Sequence, residues 1–113
     1  MHSSPRRILV IASLAFAAFG GIAHAAETEV LLVLKNHRFE PSELKVAANQ
    51  RIKLIVHNQD ATPEEFESHQ LNREKIVPPG AKVAIFVGPL KPGRYAFFGE
   101  YNEATAKGFL VAE

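Results

Sequence analysis

The chain has 113 residues and is nearly neutral, with 13 Lys and Arg against 12 Asp and Glu, and five His. It contains no Cys and no Trp, and its one Met is Met1. Thiolate catalysis, iron–sulfur clusters, thioether-linked haem, Cys-based zinc sites and disulfides are thereby excluded, and nothing in the charge favours nucleic acid or an anionic membrane surface.

Arg6 and Arg7 precede an almost wholly apolar run, Ile8 to Ala23, and Ala23-His24-Ala25 has the small-x-small form of a signal-peptidase site. That order predicts a secretory signal peptide over residues 1–25. The run of 16 residues is shorter than the ~20 a helical membrane span needs. Cleavage would export residues 26–113, with no span of their own. Eleven Lys and Arg would then stand against 12 Asp and Glu. At 88 residues, one domain on a single core is expected.

Short runs rich in Val, Ile and Phe follow, punctuated by Gly, Pro and Asn. Thr28–Lys35 is apolar at successive positions and reads as a strand covered on both faces. Glu43–Ala47 alternates through Leu44 and Val46, and Arg51–His57 places Ile52, Leu54 and Val56 on one face. Lys82–Val87, Arg94–Phe98 and Gly108–Ala112 complete the set, and Glu100–Lys107 has room for one helical turn. With a further strand if Glu65–Leu71 is extended, this predicts an all-β, antiparallel Greek-key β-sandwich of about seven strands.

Asp60, Glu64, Glu65 and Glu67 fall within eight residues without an intervening Lys or Arg, and His69 follows. On an extended chain, the period of two puts Glu65, Glu67 and His69 on one face and turns Phe66 the other way. Like charges so close repel unless a cation or water screens them. Oxygen and imidazole donors together suit iron, Cu(II), zinc or manganese. The competing reading is a charged edge strand that discourages aggregation. A second acidic patch is Gly99-Glu100-Tyr101-Asn102-Glu103, and His37 sits in a turn as a peripheral candidate. Ser42 and Ser68 lack any nucleophile context. A glycosidase-like pair among Glu64, Glu65, Glu67 and Glu100 has no Trp with which to build a sugar groove.

The order of segments carries more. Phe39-Glu40-Pro41 is followed by Ile55-Val56-His57-Asn58-Gln59-Asp60, Thr62-Pro63-Glu64-Glu65-Phe66, Val77-Pro78-Pro79-Gly80, Leu90-Lys91-Pro92-Gly93-Arg94-Tyr95 and Lys107-Gly108-Phe109-Leu110-Val111. This resembles the cupredoxin domain over nearly the whole predicted mature chain. Copper cupredoxins with a type 1 site use two His, a Cys and usually an axial Met. Here Glu64 or Glu65 occupies the region of the first His, and Phe97-Phe98-Gly99 the region of the Cys. A blue copper centre is therefore excluded. Glu64-Glu65-Phe66-Glu67-Ser68-His69, Arg73-Glu74-Lys75 and Phe97-Phe98-Gly99-Glu100-Tyr101 are more similar to the cupredoxin-like components of bacterial periplasmic iron uptake.

That resemblance implies ligand loops gathered at one end of the sandwich, with Glu67 and His69 as central metal ligands and Glu65 and Glu100 completing the shell. It implies an iron or copper ion and, as partner, an inner-membrane iron permease or another periplasmic iron-uptake component. Carboxylates stabilise Fe(III) over Fe(II), so assistance to ferrous-iron oxidation is a further reading. A metal-free module docking onto a transporter is the alternative from another class. A homodimer across a shared ion is left open.

Overall fold

A computed structural model describes residues 27–113; the predicted signal peptide lies outside the described residues. Two sheets pack face to face. One has four strands in the order β2-β1-β4-β7: β1 (Glu27–Lys35), β2 (Arg38–Glu40), β4 (Arg51–Asn58) and β7 (Lys82–Val87). The other has five in the order β3-β9-β8-β5-β6: β3 (Glu43–Val46), β5 (Glu64–Ser68), β6 (Arg73–Val77), β8 (Gly93–Gly99) and β9 (Lys107–Ala112). A single 3-10 turn, Glu100–Asn102, follows β8.

The all-β sandwich is as expected, with two corrections. There are nine strands among the described residues, not about seven. β2 is three residues long, and four of the five residues of the edge strand β6 are exposed, so neither carries an apolar period. The sandwich is also mixed rather than wholly antiparallel, because β1 pairs β4 and β3 pairs β9 in parallel. The chain leaves β1, crosses to the other sheet as β3, and re-enters beside β1 running the same way, which a Greek-key crossover requires.

Period-two burial builds the core. Ile52, Leu54 and Val56 of β4 point inward, as do Leu44 and Val46 of β3. β1 is covered on one face only: Leu32 and Leu34 are buried, whereas Leu31 is 51% exposed. A continuous apolar run reads alike in either case. Phe39, Phe66 and Phe97 interlock at the centre, with ring centroids 5.2–6.2 Å apart. Edge-to-face and offset contacts of this kind add to the burial of their area.

Two loops tie the strands together. Asn36 and His37, both at positive φ (55° and 58°), join β1 to β2, the backbone that a tight two-residue hairpin demands. Asp60 holds this turn, its Oδ1 accepting from Asn36 N (2.7 Å) and its Oδ2 from His37 N (2.9 Å). β5 pairs with β8 only at Phe66–Gly99 and Glu67–Phe98. Beyond that point side chains replace the ladder: Ser68 Oγ donates to Ala96 O (2.7 Å), and Gln70 Oε1 accepts from Ala96 N (2.7 Å).

Candidate metal centre

The site begins with Phe66. Its ring is fully buried in the aromatic trio, so strand alternation sends Glu65 and Glu67 to the outer face of the five-stranded sheet. β5 lies between β6 and β8, which places Glu67 opposite Glu74 on one side and Phe98 on the other. Glu65 stands opposite Ile76. Where β8 ends, the 3-10 turn brings Glu100 to the same place. Glu65, Glu67 and Glu100 each offer a carboxylate oxygen, and these lie within 4.8 Å of one another. The centre thus sits on a sheet face beside a turn rather than wholly among loops at one end.

No Lys or Arg forms an ion pair with Glu65, Glu67, Glu74 or Glu100 among the described residues. Glu67 is 8% exposed. Among the described residues no N–H or hydroxyl donates to its carboxylate; its neighbours there are the Glu100 and Glu74 carboxyls. Hydrogen bonding to Glu100 and then Glu74, followed by burial and the charges of the same two groups, pushes the Glu67 carboxyl up to about 8. Burial, then the charges of Glu74, Glu100 and Glu64, also raises Glu65. Crowded carboxylates keep a proton when no other cation neutralises them.

Glu64 faces the other way. It is 1% exposed and accepts three hydrogen bonds, from Glu65 N, Tyr101 N and Asn102 Nδ2. Gly99 makes the room: a Cβ there would lie 2.5 Å from Glu64 Cδ and 2.9 Å from Ala106 Cβ.

Of the four residues expected to hold a metal, the fold therefore brings together Glu65, Glu67 and Glu100. His69 lies outside that set, exposed, with its ring 5.4 Å from that of Phe98. β5 stops at Ser68, so the strand alternation that would set His69 beside Glu65 and Glu67 does not reach it. His69 does border a polar cavity of about 320 Å³ that Glu67 and Glu74 share. His37 is turned toward Asp60, with Nδ1 3.6 Å from Oδ2. Glu74 is the residue that sequence reasoning did not single out as a ligand candidate. Only the β5–β6 register reveals it.

The residues 7–112 match the profile of the cupredoxin-like domain family. This chain belongs to that family. A Rickettsia prowazekii (strain Madrid E) protein, RP394, is 48% identical over 83 residues, covering 74% of this chain; the match spans 66% of that relative's length. Among solved structures, auracyanin A, a "blue" copper protein from Chloroflexus aurantiacus, aligns with a TM-score of 0.66 at 13% identity, over 78% of this chain and 100% of its own. The purple cupredoxin of Nitrosopumilus maritimus aligns at 0.60 and 12%, over 74% and 99%. At such identities the likeness establishes the fold. A type 1 copper site does not fit this cupredoxin-like chain, because it has no Cys to supply the thiolate. The carboxylates of Glu65, Glu67 and Glu100 offer the oxygen donors that a hard cation prefers instead.

Proposed function

We propose that this cupredoxin-like protein is a periplasmic carrier of a metal ion, iron before Cu(II), held by Glu65, Glu67 and Glu100 with Glu74 beside them. In this reading it serves an inner-membrane iron permease or another iron-uptake component. The observation that supports it most is Glu67, a residue only 8% exposed whose carboxylate lies with those of Glu65 and Glu100 and has no cationic partner among the described residues. Charges kept only for solubility sit in water, where mutual repulsion is screened. Here the strand register sets them side by side, and a cation among them would relieve the repulsion that a retained proton otherwise relieves. The ion is cargo, and an oxygen-only shell favours the ferric state.

Titration of the purified protein with Fe(II) under anaerobic conditions, Fe(III), Cu(II) and Zn(II) tests this. Iron or Cu(II) is expected to bind with a stoichiometry of about one, and Glu67→Gln is expected to abolish binding. Unchanged binding in Glu67→Gln overturns the assignment.

A second reading has its own support. A concavity of about 590 Å³, lined in part by Ala96, Phe98, Phe109 and Lys107, adjoins the carboxylates through Phe98. It suits a metal-free docking module whose acidic patch steers the encounter. Partner binding that falls with salt and ignores chelator distinguishes that reading from the carrier.

A further inference from the structure

We infer that Glu64 is the positioning residue of the carboxylate centre: from inside the sandwich it fixes the turn that presents Glu100 to Glu65 and Glu67. The inference rests on the cation-binding reading above and names the device that assembles that site. It is carried by hydrogen bonds that join two segments far apart in the chain. Glu64 Oε1 accepts from Glu65 N (3.0 Å) and from Tyr101 N (2.7 Å). One oxygen thus ties the backbone at Glu65 to the backbone next to Glu100. Oε2 accepts from Asn102 Nδ2 (2.8 Å), which grips the far end of the same turn.

The turn needs that grip. Gly99 at its N-cap supplies no side-chain hydrogen bond, so its first free N–H groups have no local acceptor. Glu64 serves as the cap from another strand. A carboxylate is the group this geometry requires: it accepts on both oxygens and donates nothing, whereas an amide would turn its NH₂ against one of the donors. Ala106 N, donating to Asn102 O (2.8 Å), and Gly99 N, donating to Ala106 O (2.8 Å), close the loop around it. Glu64 itself is 1% exposed and points to the opposite face of β5 from Glu65, so it holds ligands in place without being one.

A double-mutant cycle decides the matter, with Fe(II) titrated anaerobically by calorimetry into the wild type, Glu64→Gln, Glu100→Gln and the double variant. Glu64→Gln is expected to weaken Fe(II) binding about tenfold, comparably to Glu100→Gln. The double variant is expected to bind no more weakly than Glu100→Gln alone, because Glu64 acts through Glu100. General loosening of the fold would instead weaken both backgrounds alike, and such additivity overturns the inference. So does wild-type binding by Glu64→Gln when Glu100→Gln is impaired. If Glu67→Gln and Glu100→Gln both bind as the wild type does, the cation-binding reading falls and takes the inference with it. Should Glu64→Gln fail to fold by circular dichroism, Asn102→Ala replaces it in the same cycle with the same expectation.

Discussion

Glu67 and Glu74 stand directly opposite one another on adjacent strands, two acidic side chains in a position where a pair of ionised carboxylates destabilises a sheet. The sheet keeps this pairing because Phe66 and Val77, both buried, fix the facing strands to the core. The consequences can be measured.

The metal-free protein is expected to lose stability as pH rises. Hydrogen bonds to Glu100 and Glu74, with burial, put the Glu67 carboxyl at about 8 in the folded chain against 4.5 when unfolded. Between those values the folded state binds the extra proton, so unfolding becomes easier with increasing pH. The contribution is complete below about pH 4.5 and lost through pH 8. Thermal melts in chelator from pH 5 to 9 should show this decline, and Glu67→Gln should flatten it.

Glu74→Lys is expected to raise the melting temperature of the metal-free protein by a few degrees and to suppress metal binding. The substitution sets an ammonium opposite Glu67, which attracts the ionised carboxylate, and places that charge where the ion would sit. Melting curves in chelator, paired with Fe(II) titration, check both halves.

Gly99→Ala is expected to destabilise the fold by about 1–3 kcal/mol. The new methyl meets the Glu64 carboxyl carbon and Ala106 Cβ, neither of which can withdraw, since Glu64 is held by three hydrogen bonds. Urea unfolding at fixed pH gives the value.

Phe66→Ala is expected to cost about 3–5 kcal/mol, since it removes one ring of the mutually packed aromatic trio. Binding should fall with it, because this ring orients both flanking carboxylates. Denaturant unfolding measures the first effect and calorimetry the second.

His69→Ala is expected to change Fe(II) affinity far less than Glu67→Gln does. The imidazole lies over Phe98 rather than among the carboxylates. Equal losses in the two variants would return His69 to the ligand set.

Much of this architecture was legible in the amino-acid order. Alternation in Arg51–His57 and Glu43–Ala47 marked the strands, and the placement of Phe66 between two glutamates foretold which way each would face. What escaped was whatever depends on pairing between distant segments. β6 has no apolar period, so Glu74 could not be matched to Glu67 before the register was known. The parallel pairings of β1 and β3 arise from a crossover that leaves no mark on either strand. Extending β5 through His69 assumed a regular strand, whereas Asn72 N donates to His69 O (3.1 Å) and turns the chain there.

The bond from Tyr101 N to Glu64 closes over thirty-seven positions of the chain, and Glu100 reaches its companions only once β8 has returned beside β5. No peptide cut from one part of the sequence would retain that arrangement. In the proposed carrier, acquisition of an ion would then follow folding, not guide it, and the captured ion would stabilise the finished domain by mass action. The compartment in which that carrier folds would then choose what it carries.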